Sequence, residues 1–144
     1  VLIPVLAALA FLIARRDSLS KPTTFSQTDP DHEESLLRTR HYKHSRDRVS
    51  RLASEILPTL RTYGRKWRLV ETKAASQTTI LNSEVPVLVF TDDLVVTIQD
   101  APDESCLLDV KSSARVGRGD FGENRLHVLQ FLQAIDSKLG YNGN

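Results

Sequence analysis

A lone cysteine, Cys106, rules out an intrachain disulfide framework and a cysteine-based zinc site in this 144-residue chain. An unpaired thiol fits a reducing compartment. Aromatic residues are scarce, at 6%. They barely interleave the basic stretch from Arg38 to Arg51, so no nucleic-acid surface is expected there. His41 and His44 stand at a spacing that suits a metal on a helix, but no third ligand accompanies them, and no metal is expected. No internal repeat divides the chain. Net charge is nearly absent as well, at +1. That total hides an asymmetry: residues 1–68 carry 13 Lys/Arg against 7 Asp/Glu, and residues 69–144 carry 6 against 11. A basic front half beside an apolar segment suggests attraction to anionic headgroups.

What is present supports one compact domain with an appendage, since 40% hydrophobic and 26% charged residues are ordinary for a folded domain. The appendage is Val1 to Ala14, VLIPVLAALAFLIA, which carries no charged side chain. Val1, Leu2, Leu6, Leu9, Phe11, Leu12 and Ile13 supply its apolar surface, and Arg15 and Arg16 close it. As a helix it would cover about 21 Å, less than a span of ~20 residues needs. The first residue is Val rather than Met, so further apolar sequence is expected upstream. A signal peptide places its positive charges before the apolar core, not after it. The expectation is therefore an uncleaved transmembrane anchor over residues 1–16, with Arg15, Arg16 and Lys21 holding this end on the cytoplasmic side. Residues 17–35, rich in Ser, Thr, Asp and Pro, read as an extended surface linker. Residues 36–140 form the domain, and residues 141–144 a tail.

Within the domain, Leu37 and Tyr42 could anchor a basic edge strand. Ser45 suits a helix N-cap. Val49, Leu52, Ala53, Ile56, Leu57, Leu60 and Tyr63 then keep a helical stripe that Gly64 would stop, with Pro58 kinking it or ending it early. Strands are expected over Trp67–Thr72, Thr78–Leu81, Val85–Thr91, Leu94–Gln99 and Cys106–Ser113. Gly122 or Asp120 opens a last helix with a stripe of Leu126, Leu129, Leu132, Ile135 and Leu139, and Gly140 ends it. The expected fold class is α+β: an antiparallel four- to five-stranded sheet with two helices on one face, plus the N-terminal transmembrane helix. Trp67, Leu57, Phe90, Val96 and Leu129 are expected in its core.

The most distinctive stretch is Lys111-Ser112-Ser113-Ala114-Arg115-Val116-Gly117-Arg118-Gly119-Asp120-Phe121-Gly122-Glu123-Asn124-Arg125. It resembles the signature of the bacterial and plastid domain-of-unknown-function family numbered fourteen ninety-nine, roughly Arg-Ser-x-Ser-Arg-x-Gly-x-x-Asp-x-Gly-x-Asn-Arg. Here Lys111 replaces the first Arg, and Ala114 stands where a Ser is usual. Phe90-Thr91-Asp92-Asp93 resembles the family's second motif. The resemblance runs from about Leu36 to Leu139. It implies a fold and a site to watch, and no activity.

Gly117, Gly119 and Gly122 match the dinucleotide fingerprint in letters. A Rossmann site needs a second parallel strand after the helix, and only one helix and a tail follow, so no cofactor is expected. The glycines could still aim backbone N–H groups at an anion, with Arg115, Arg118 and Arg125 adding charge. The favoured role is structural. Asp92 or Asp93, together with Asp120, would hold Arg115 and Arg125 in a polar network, and Asn124 would bond the loop backbone. A hydrolase would need His127 within reach of Ser112 or Ser113.

These features point to a membrane-anchored, non-catalytic accessory or scaffold subunit. Its domain would lie on the cytoplasmic side and dock on a larger membrane protein complex, photosynthetic or respiratory. The expected partners are membrane lipids and other subunits. The alternatives are a tethered binding module for an anionic headgroup or phosphate-bearing ligand and, third, a tethered hydrolase.

Overall fold

The computed structural model describes residues 24–115 and 123–143. The anchor expected over residues 1–16 lies outside them, as do Gly117, Arg118, Gly119, Asp120 and Gly122. Among the described residues no helix is long and apolar enough to cross a membrane.

Four long strands form an antiparallel meander: β5 (Arg68–Ala74), β6 (Thr78–Val87), β7 (Phe90–Ala101) and β8 (Ser105–Ala114). Two short strands share the outer edge of β8. β1 (Phe25–Gln27) pairs with Lys111 to Ser113, and β2 (Arg40–Tyr42) pairs with Cys106 to Leu108. A separate ribbon joins β3 (Arg61–Thr62) to β4 (Arg65–Lys66). Helices α1 (Arg46–Ile56) and α2 (Glu123–Leu139) cover one face of the sheet. The α+β class with two helices thus holds. The sheet is larger than the expected four to five strands, with six in one sheet and two in the ribbon.

Local chemistry explains most boundaries. Ser45 is extended, and its hydroxyl accepts from the Arg48 N–H at 3.2 Å, capping α1. Val49, Ala53 and Ile56 turn the inner face of α1 to the sheet. Pro58 cannot donate the next helical bond, so α1 gives way to a 3-10 turn over Leu57–Thr59. The expected continuation through Leu60 and Tyr63 does not form. Gly64 does not stop a helix. Tyr63 and Gly64, with φ of 50° and 75°, make the two-residue loop between β3 and β4, a turn that needs positive φ at both positions. Gly140, with φ of 67°, does end α2.

The β6–β7 turn falls inside the run expected as one strand, at Leu88-Val89. Phe90, expected in the core, therefore starts β7 at 47% exposure. Trp67, Leu57 and Val96 are buried as expected, while Leu129 is only half-buried. The inward face of α2 keeps Leu132 and Ile135 of the expected stripe, but it is completed by Asn124, His127, Val128 and Phe131 rather than by Leu126 and Leu129.

Pairing across β6, β7 and β8 stacks the inner face of the sheet in rows. Thr79, Ile98 and Leu108 form one, and Leu81, Val96 and Val110 the next. Then come Ser83, Leu94 and Ser112, and finally Val85, Asp92 and Ala114. The face thus passes from apolar to polar toward the end that carries the signature sequence.

Candidate functional site

At that end, two alternations meet. Along β7, the inward positions Leu94, Val96 and Ile98 extend to Asp92, which is buried, while Asp93 points out. Along β8, Ser112 points in and Ser113 out. Helix α2 adds Glu123, Asn124 and His127, which the i, i+3, i+4 geometry gathers over the first turn.

His127 is the hub. Its Nδ1 lies 3.3 Å from Ser112 Oγ and 3.6 Å from Asp92 Oδ2. Its Nε2 lies 3.1 Å from Glu123 Oε2, an ion-pair distance whose direction is not that of a hydrogen bond. The Trp67 ring meets the imidazole edge-on, with centroids 5.9 Å apart. Ser112 Oγ donates to Asn124 Oδ1 at 2.7 Å, which leaves its oxygen as the acceptor facing His127. Asn124 Nδ2 donates to the Thr24 carbonyl at 3.1 Å, so the incoming chain is tied to the same cluster. The Tyr63 hydroxyl, from the β3–β4 loop, donates to Glu123 Oε1. A single imidazole therefore sits between two carboxylates, one from the sheet and one from its own helix.

The two carboxylates face opposite sides of the ring, so they cannot share one metal ion with it. No cluster of His, Cys, Asp and Glu suited to a metal occurs among the described residues.

The network expected around Arg115 and Arg125 is divided. Arg115 lies on the open face of the sheet, where Nε and Nη2 hold Asp93 at 2.8–3.1 Å and Nη2 also reaches Glu84 Oε2 at 2.5 Å. Arg68 pairs with the other side of Glu84. Bonds from Arg115 and then Arg68 hold the Glu84 carboxyl below its ordinary range. Arg115 is itself pushed up, first by Asp93 and then by Glu84. Arg125 turns elsewhere and binds Glu34, whose carboxyl is likewise lowered, chiefly by that bond. Asp92 lies beside His127, and Asn124 reaches the same cluster through Ser112. The adjacent aspartates thus serve opposite faces of the sheet, and neither is simply solvated. Asp120 falls outside the described residues, as do Gly117, Arg118, Gly119 and Gly122 of the expected anion site.

The network expected from the sequence did not include His127, Glu123, Glu84, Glu34, Tyr63 or Trp67. Two signals could have found the inner cluster. Strand alternation back from Leu94 puts Asp92 inside, and helical spacing back from Phe131 puts His127 and Asn124 on the same face.

The architecture defines an α+β domain in which one antiparallel sheet is covered on one face by two helices. The sequence pattern described as "Protein of unknown function (DUF1499)" matches residues 16–135. The chain belongs to this family. Curated proteins contain no match to the sequence. A solved structure from Thermus thermophilus, TTHA0849, is similar over 79% of this chain and 98% of that one, at 12% identity and a TM-score of 0.37.

Proposed function

We propose that this chain is a membrane-tethered, non-catalytic accessory or scaffold subunit that docks on a larger membrane protein assembly, of the kind found in photosynthetic or respiratory membranes. One observation carries the reading. The signature side chains Ser112 and Asn124, and His127 two residues beyond the signature, are 0%, 0% and 1% exposed and gathered in one cluster. Side chains committed in this way fasten a helix to a sheet and shape a surface. The apolar residues 1–14 and the arginines after them supply the tether, with the domain on the cytoplasmic side. The test is mild-detergent purification of the tagged full chain from its native membrane, after a carbonate wash. Retention through the wash and co-elution with integral membrane proteins are expected. Release into the carbonate supernatant would contradict the tether, and recovery of the chain alone would contradict the docking.

A tethered hydrolase is the second reading. Ser112 and Glu123 lie on opposite nitrogens of His127, as a nucleophile and an orienting acid would. Against it, the Ser112 proton is committed to Asn124 and the hydroxyl is closed to solvent. A fluorophosphonate that labels the wild type but not Ser112→Ala would establish this reading. The anionic-ligand reading is weaker still, because Arg115 and Arg125 already hold carboxylates.

A further inference from the structure

The β6–β7 hairpin ends in three apolar side chains that the described residues leave exposed. Leu88, Val89 and Phe90 are 62%, 89% and 47% exposed. Leu88 also takes a φ of 54°, in a hairpin loop whose positive-φ positions usually fall to Gly, Asn or Asp. A bulky side chain is held there at a conformational cost, and such outliers gather where a surface is used.

Basic side chains flank the tip. The β3–β4 ribbon lies against the hairpin through the Thr62 hydroxyl, which donates to the Pro86 carbonyl at 2.5 Å, and through Arg65 Nη2, which donates to the Leu88 carbonyl at 2.5 Å. The ribbon brings exposed Arg61, Arg65 and Lys66 to the rim, and none of the three has a carboxylate partner among the described residues.

The chain also arrives at this end. The Thr24 carbonyl accepts from the Ala114 N–H at 2.8 Å, and Ala114 pairs with Asp92. Thr24 therefore sits about 10 Å sideways from β7, at two strand spacings. The hairpin tip projects roughly 7–10 Å beyond that row. Residues 17–23, between Arg16 and Thr24, reach at most about 24 Å when extended.

We infer that the Leu88-Val89-Phe90 tip, rimmed by Arg61, Arg65 and Lys66, inserts into an anionic lipid surface and fixes the domain with this end toward the bilayer. The projection matches the ~5–10 Å depth at which apolar side chains enter the headgroup–acyl boundary. Basic groups beside them add attraction to anionic lipid. The inference rests on the tether reading, which brings this end to the surface.

The experiment uses the full chain reconstituted into vesicles of phosphatidylcholine and phosphatidylglycerol. An environment-sensitive dye is placed at Val89→Cys or, at the opposite end of the sheet, at Asp103→Cys. Cys106 is buried and its thiol is pushed up to about 11 by burial and then by Asp100, so it should resist labelling. The Val89 dye should shift to the blue and escape iodide quenching on the vesicles, while the Asp103 dye stays quenched. If the chain floats with the vesicles but both dyes are quenched alike, the tip inference fails and the tether stands. If the chain does not float, both fail. Equal shielding of the Val89 dye on pure phosphatidylcholine would overturn the role of the basic rim.

Discussion

Helix α2 is fastened to the rest of the domain at both ends, and the two fastenings differ in kind. Near its C-terminus, Asp136 receives Arg40 Nε and Nη2 at 3.1–3.2 Å and the Tyr42 hydroxyl at 2.5 Å. Arg40 spends its remaining donors on the Arg38 and Leu36 carbonyls and stacks 5.1 Å from the Tyr141 ring. One cation meets one anion, and every arm of the fork has an acceptor. Burial, and then the bond to Asp136, push the Tyr42 phenol far above its ordinary value. Near the N-terminus, one imidazole meets two carboxylates, and the hydroxyl and amide beside them bond each other first. The first fastening is charge-balanced within itself. The second gathers groups from the β3–β4 loop, the incoming chain and the sheet around one imidazole. It is also where the signature residues lie. The difference suggests that the far end settles the fold, while the signature end organises a surface around it.

The largest effect should come from breaking the balanced pair. Arg40→Met would leave Asp136 half-buried without its cation, a loss of about 3–5 kcal/mol where such a pair is well buried. Urea melts compared with Asp136→Asn would check it. A loss under about 1 kcal/mol would place this pair with ordinary surface ion pairs.

A middle-sized effect separates the two adjacent aspartates. Asp92→Asn changes a buried group beside His127 and should cost about 1–3 kcal/mol in urea melts. Asp93→Asn loosens a solvent-screened bridge to Arg115, which is 46% exposed, and should cost clearly less. Arg115→Ala should be as mild, a smaller effect than its place in the signature suggests. Equal losses for Asp92→Asn and Asp93→Asn would erase the distinction between the two faces.

The smallest effect is a pH dependence. The Glu34 carboxyl lies below its ordinary value in the folded chain, mainly through Arg125. Its contribution should be fully present above the unfolded carboxylate value and should fade as pH falls through the depressed folded value. Melting temperatures of wild type and Glu34→Gln should therefore differ at neutral pH and converge in acid. A difference that grows in acid would reverse the sign and contradict the Arg125–Glu34 tie.

Much of this was legible in the residues. The β-branched runs marked the meander, Ser45 and Gly140 marked helix ends, and Pro58 ended α1. What misled was chemistry settled by partners rather than by neighbours in sequence. Phe25–Gln27 looks like linker and becomes strand because the edge of β8 accepts it. Leu88-Val89 carries no turn residue, yet the chain reverses there, and Phe90 goes outside as a result. Leu132 and Ile135 of the expected helix stripe are inside, but Leu126 and Leu129 rotated that stripe away from Asn124 and His127, which are polar and still buried. Asp92 and Asp93 could be assigned to opposite faces by alternation, but which face held the histidine depended on that helix rotation.

The central claim is that the signature side chains fasten α2 to the sheet. Its most direct test is a double-mutant cycle in urea between Ser112→Ala and Asn124→Ala, whose side chains meet at 2.7 Å. A fastening predicts a coupling of about 0.5–3 kcal/mol between the two. Additive losses, each below about 0.5 kcal/mol, would contradict it.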